Sequence, residues 1–199
     1  DVCSSDLRSA HELGLRSTAT IMFGHVEAPR HWARHLLRIR ALQEQTRGFT
    51  EFVPLPFVHM EAPVYLHGGA RKGPTFREAL LMHAVARLVL NSVLPNIQVS
   101  WVKMGEAGVI AALAAGANDL GGTLMNESIS RAAGTQHGQE MAPAAMDALI
   151  RRAVRVPQQR TTLYGAASTE REQRSYSASP LAALPSIIAP VRQRISVAA

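Results

Sequence analysis

The chain has 199 residues, 47% of them hydrophobic, which is enough to bury a core as one globular unit. It holds no apolar run near the roughly 20 residues of a membrane helix, and no basic-then-apolar opening of a secretory signal. One cysteine excludes internal disulfides and a cysteine-built metal site within these residues, so a cytoplasmic protein without a membrane partner is expected. The net charge of +6 is confined to residues 151–199, which hold 8 arginines against 2 glutamates, whereas residues 1–150 carry 13 charges of each sign; no nucleic-acid partner is expected from so local an excess.

Residues 1–7 fit neither the helical nor the strand period and read as a translated sequencing adapter, which leaves Cys3 without a biological role. Residues 17–23 predict a buried strand stopped by Gly24. Trp32, Leu36, Ile39 and Leu42 then recur at helical spacing, and Gly48 ends that helix. Residues 49–55 predict a second strand, closed by Pro54 and Pro56, and residues 57–74 a long loop. Thr75 and Glu78 form a capping box for a helix carried by Leu81, Val85, Leu88 and Val89. A third strand is expected over 97–102 and an Ala-rich helix over 106–115, with Gly116 as its stop. A fourth strand at 119–125, a helix at 142–154 and a fifth strand at 159–164 follow.

Such alternation predicts an α/β fold with a parallel sheet and helical crossovers. The element count suits a partial (β/α) barrel of the TIM type, since a whole one takes about 250 residues. The barrel part is expected over residues 8–165. Residues 166–199, rich in Ser, Ala, Pro and Arg, predict a flexible or disordered basic tail, whose apolar stretch 181–191 would dock on the body.

In a barrel of this type the chemistry sits at the C-terminal ends of the strands. Gly24, His25 and Glu27 follow the first strand: glycine admits close backbone approach, and the carboxylate can accept hydrogen bonds from a ribose or an amine. An ordinary turn is the competing reading. Asn118, Asp119, Gly121 and Gly122 place polar groups and glycines in an apolar strand, which marks either close approach of a ligand or a barrel corner, and a buried Asp119 needs a partner. Ser100, Trp101 and Lys103 lie near the end of the third strand, where Trp101 either stacks on a ligand or joins the core. Glu27 and Asp119 are expected to face one cavity. His31 and His35 have metal-ligand spacing but share an Arg-rich helix without an HExxH pattern, so no metal site is assigned.

Four segments in combination carry a family resemblance: Thr20-Ile21-Met22-Phe23-Gly24-His25, Phe49 through Phe57, Ser100-Trp101-Val102-Lys103-Met104-Gly105, and Gly116 through Met125. The ending Gln159-Arg160-Thr161-Thr162-Leu163-Tyr164-Gly165 fits as well. Over about residues 12–165 the chain resembles the C-terminal half of the CofH-like part of radical S-adenosylmethionine (SAM) deazaflavin synthases. Menaquinone-pathway radical SAM enzymes share parts of the pattern and are one alternative; a non-catalytic α/β scaffold is the other. The resemblance implies a radical SAM barrel and a transferase that joins the hydroxybenzyl part of tyrosine to 5-amino-6-ribitylaminouracil, with SAM and a 4Fe–4S cluster as cofactors. It also implies a partner subunit or fused domain that completes the deazaflavin. Gly24, His25 and Glu27 would then contact SAM, while His59, Glu61, Ser100, Trp101, Asn118, Asp119, Gly121 and Gly122 would line the substrate site. Thr20 stands where the broader motif has glycine. The family's C-x3-C-x2-C cluster motif is absent, since one thiolate cannot hold such a cluster. The chain is therefore expected to be cut from a longer parent and to be inactive alone.

Overall fold

A computed structural model describes residues 2–123, 128–138 and 140–182. Strand β1 (Ser17–Phe23) pairs in parallel with β2 (Phe49–Pro56), with Ser17 opposite Phe49 and Phe23 opposite Pro56. The parallel relation continues through single bridges, Phe52 to Ile97 and Gln98 to Asp119. Four extended segments thus lie side by side in chain order. The expected α/β class is observed, as a small parallel sheet.

The helices are α1 (Val2–Glu12), α2 (Pro29–Thr46), α3 (Pro63–Leu66), α4 (Phe76–Leu90), α5 (Trp101–Ala114), α6 (Ile129–Ala132), α7 (Pro143–Arg152) and α8 (Thr169–Ser177). None among the described residues is long and apolar enough to cross a membrane. In β1 the strand period separates two faces. Ala19 and Phe23 are buried against Leu36 and Ile39 of α2 and Met82 of α4, whereas Thr18, Thr20 and Met22 lie on the open face. A second core forms between α5 and α7 around Trp101, Val109, Ala112 and Leu149.

Local chemistry explains the elements that match. Thr75 Oγ1 accepts from the Glu78 N–H at 3.2 Å while Glu78 accepts from the Thr75 N–H at 2.7 Å, so the capping box of α4 is closed in both directions. Pro29 opens α2, where its missing N–H costs nothing.

Several expectations are corrected. The stop of α2 is Arg47, which takes the left-handed conformation (φ 51°) and returns its N–H to Gln43. Gly48 instead makes room for a neighbour, because a Cβ there would sit 2.0 Å from the ring of His11. That imidazole links Thr46 and Ser17 through 2.8 Å contacts and so joins the end of α2 to the start of β1. Residues 2–12 are helical although the first seven show no period, because Leu7 and His11 dock on the body.

The third strand is shorter than expected. Helix α5 joins two helical pieces across a kink at Gly105 (φ 63°, ψ 176°): an unexpected turn from Trp101 that takes over the end of the expected strand, and the expected helix from 106 onward. A short apolar run does not reveal its period, so strand and helix were not separable there. The fourth strand shrinks to Asp119, because the Asp119 carboxylate takes the Gly121 N–H at 2.5 Å and turns the chain. Residues 124–127 lie outside the described residues.

No fifth parallel strand forms at 159–164. Those residues make a turn in which Thr161 N–H donates to Gly165 O at 2.8 Å and Gly165 N–H to Thr161 Oγ1 at 3.0 Å. The bridge at this turn, Arg160 to Ala166, is antiparallel. The expected loop 57–74 contains α3 and a small core of Phe57, Tyr65, Leu66 and Ala70. The tail is helical over α8, started by Ser168 Oγ accepting from Arg171 N–H at 3.3 Å. Of the stretch 181–191, residues 183–191 lie outside the described residues.

Candidate functional site

Polar groups collect at both ends of the sheet. At the C-terminal end, β1 runs into the turn 24–27, whose organiser is the Glu27 carboxylate. Its Oε1 accepts from the Gly24 N–H and from the Trp32 indole N–H at 2.7 Å. Its Oε2 accepts from the N–H groups of His25 at 3.1 Å and Val26 at 3.0 Å, and His25 Nδ1 lies 2.6 Å away. Burial by itself would raise the Glu27 pKa; the donors, led by Gly24, outweigh it and hold the value down at about 2. The carboxylate is thus ionised and spent on its own turn, with little capacity left for a ligand.

Gly24 is required by a close approach, but within the chain. With φ 92° a Cβ would stand 2.2 Å from Pro74 Cδ. The loop 57–74 is fastened over this turn at three points. Phe57 N–H donates to Phe23 O at 2.9 Å, Arg71 N–H donates to His25 O at 3.0 Å, and the His25 and Phe57 rings lie 5.4 Å apart. His59 and Glu61 belong to the same loop. The His59 ring meets the edge of Tyr65 at 4.7 Å, and burial, then the charge of Lys72, lower its pKa. Glu61 N–H donates to Ala133 O at 3.3 Å, bringing the segment after α6 to this end.

At the N-terminal end a second cluster surrounds Asp119. Arg160 reaches it with two groups, Nε to Oδ2 and Nη2 to Oδ1 at 3.0 Å, and the same guanidinium is 3.5 Å from Glu51 on β2. Gln98 Nε2 donates to Asp119 Oδ1 at 3.3 Å and Thr18 Oγ1 to Glu51 Oε1 at 2.8 Å. The Tyr164 ring lies under the guanidinium, 3.9 Å from its central carbon. Burial opposes the charge on Arg160, but its bond to Asp119 prevails and raises the Arg160 pKa. Burial also pushes the Tyr164 phenol far up, with the adjacent Glu51 adding to it.

Asp119, Asn118, Gly121 and Gly122 line a cleft of about 890 Å³ together with Glu51 and Arg160. Gly24, His25, Glu27, His59 and Glu61 are not in its lining. The expectation that Glu27 and Asp119 share one cavity is therefore overturned. Glu27 lies beyond the C-terminal end of β1, whereas the second cluster takes up the lower half of the sheet, with Glu51 third in β2 and Asp119 paired with Gln98, one residue past the partner of Phe52.

Trp101, Ser100 and Asn118 are held by contacts within the chain. Trp101 is 2% exposed within the second core, and its indole N–H donates to Gly122 O at 3.1 Å. Ser100 is buried at the start of α5. Asn118 Oδ1 accepts from the Ile97 N–H at 2.8 Å and from Arg87 at 2.9 Å, pinning the third segment to α4. Among the described residues no group of three His, Cys, Asp or Glu could hold a metal ion. Inspection of the sequence missed Glu51, Trp32 and Arg160 as site residues; the need of a buried Asp119 for a cationic partner was the one signal that pointed toward Arg160.

A parallel α/β domain with polar clusters at its strand ends defines a class used by many enzymes. The chain belongs to the family described as the CofH/MqnC C-terminal region, matched over residues 46–173. It is 54% identical over 158 residues to the 5-amino-6-(D-ribitylamino)uracil--L-tyrosine 4-hydroxyphenyl transferase of Methanopyrus kandleri, covering 79% of this chain and 43% of that protein. It is 52% identical over 167 residues to the FO synthase of Streptomyces coelicolor (84% of this chain, 19% of that protein) and 53% identical over 156 residues to that of Mycobacterium leprae (78% and 18%). The chain thus spans less than half the length of these relatives.

Proposed function

We propose that this chain is the C-terminal part of a radical SAM transferase that joins the hydroxybenzyl part of tyrosine to 5-amino-6-ribitylaminouracil in deazaflavin synthesis. The observation that carries the reading is the 54% identity to the Methanopyrus kandleri transferase, sustained over 158 residues. The chain-order parallel segments support a partial barrel as the setting. The catalytic end is then the C-terminal one, with the turn 24–27, His59 and Glu61. A menaquinone-pathway enzyme is the competing reading; the relatives described above favour the transferase by their names.

The iron–sulfur cluster does not fit these residues. One cysteine is present, and no ligand group of three exists among the described residues. The parent would hold the cluster elsewhere. SAM supplies the radical when bound. Toward it, this chain would offer the backbone of residues 24–26, shaped by Glu27, and the imidazole of His25, whose side chain is 29% exposed. Glu27 acts through that shape rather than by contact.

The deazaflavin-completing partner, separate or fused, and a cytoplasmic location belong to the same proposal. Nucleic acid is not among the proposed partners, because the net positive charge is confined to residues 151–199 and residues 1–150 carry equal numbers of each sign. Residues 1–7 are proposed to be foreign to the natural protein, and recovery of the gene upstream of Leu7 tests that directly.

The functional test uses the full-length parent, reconstituted anaerobically and supplied with SAM, tyrosine and the ribitylaminouracil. Deoxyadenosine and the coupled adduct are expected by mass spectrometry. Deoxyadenosine without the adduct, under conditions where the Methanopyrus kandleri transferase yields it, would reject the substrate assignment.

A further inference from the structure

The segment just before α8 has no part in the proposed chemistry, yet it crosses the N-terminal end of the sheet. Leu163 and Tyr164 line a small recess there with Arg16, Phe49 and Asn96, residues at or just before the starts of three successive extended segments. Arg160 enters the same end from the side. Its guanidinium reaches Asp119 on the fourth segment and Glu51 on β2, with the third segment between them contributing Gln98. The turn that presents it is closed by Thr161 and Gly165, and Tyr164, at φ 64°, holds its ring centre 3.9 Å from the guanidinium carbon.

We propose that residues 157–165 form a strap that closes the N-terminal end of the sheet, and that Arg160 is its latch. A planar guanidinium suits such a latch. Its fork grips Asp119 with Nε and Nη2, the same Nη2 faces Glu51, Nη1 donates to the strap's own Thr161 carbonyl, and its face rests on an aromatic ring. Both carboxylates are largely buried, Asp119 at 7% and Glu51 at 12% side-chain exposure, so their mutual repulsion is weakly screened and falls to the cation beside them. Without Arg160 the two carboxylates would drive β2 and the fourth segment apart, and the strap would lose its anchor.

Hydrogen exchange of the full chain, followed peptide by peptide, tests this in the wild type and in Arg160→Gln, Arg160→Lys and Asp119→Asn. Arg160→Gln should speed exchange at least about tenfold in the strap and in the peptides carrying Glu51, Gln98 and Asp119, and leave α2 and α4 protected. Arg160→Lys should recover only part of that loss, since an ammonium cannot fork. If Arg160→Gln does not fold, Asp119→Asn, which keeps the cation and one carboxylate, should show a smaller loss in the same peptides. Unchanged strap exchange in every variant, or a loss spread equally over α2 and α4, would overturn the proposal. The readout is protection rather than turnover, so its failure would leave the transferase reading untouched.

Discussion

The two ends of the sheet each bury a carboxylate and satisfy it in opposite ways. Glu27 is held by backbone N–H groups one to three residues away and by an indole five residues on. Asp119 takes one local N–H, that of Gly121, but its side-chain partners are an arginine 41 residues later and a glutamine 21 residues earlier. The first arrangement assembles as soon as the turn forms. The side-chain part of the second exists only once the sheet and the strap have come together. A local network costs little chain entropy and suits a rim that must keep one shape, whereas a remote network reports on closure of the whole domain.

The largest effect that would test this contrast is expected from Asp119→Ala. It removes at one stroke the bonds that Asp119 accepts from Arg160, Gln98 and Gly121 while Glu51 still faces the cation, and the loss of more than one charge-assisted hydrogen bond, at about 1.5–3 kcal/mol each, gives an expected cost of about 2–4 kcal/mol. Urea unfolding should show a lowered midpoint with one cooperative transition. A change below about 1 kcal/mol would mean that the N-terminal cluster is solvated in solution and that the contrast fails.

Gly24→Ala should cost less, about 1–3 kcal/mol, because the added methyl group meets Pro74 and the residue must hold a positive φ. Its effect should stay at the C-terminal end: proteolysis of the loop 57–74 should accelerate, while the strap keeps its protection. Simultaneous loosening of the strap would show that the two ends are coupled rather than separate.

The smallest effect is expected from Glu27→Gln, about 1–2 kcal/mol at neutral pH, the value of charge-assisted hydrogen bonds in a partly buried turn. The pH dependence sharpens it. Because the folded pKa is depressed to about 2 from 4.5, the carboxylate's contribution is fully present above about pH 4.5 and is lost as pH falls toward 2. The wild type should therefore lose its advantage over Glu27→Gln across that window in paired unfolding curves. A constant difference between the two proteins down to pH 2 would place the shift elsewhere.

Much of the fold was legible where one local rule governs. The strand at 17–23, the helical recurrence of Trp32, Leu36, Ile39 and Leu42, and the Thr75–Glu78 capping box all depend on neighbours within a few residues, and the structure matches them, except that β1 is buried on one face only, with Thr18, Thr20 and Met22 exposed. Legibility failed where a distant contact overrode the local preference. Residues 2–7 are helical because Leu7 and His11 find a surface. Residues 159–164 read as a strand from their composition, yet they turn, because Thr161 bonds back to Gly165 and Arg160 is drawn to Asp119.

The candidate site divides along the same line. The amino-acid sequence by itself determined the α/β class, the turn after the first strand and, through shared segments, the family. Tertiary structure alone decided what the polar residues do. It bound the Glu27 carboxylate into its own turn, put Trp101 in the core, and left Glu27 out of the cleft that Asp119 lines. The reason is physical. A carboxylate's chemistry depends on which donors reach it, and only the folded chain brings Arg160 to Asp119 or Trp32 to Glu27.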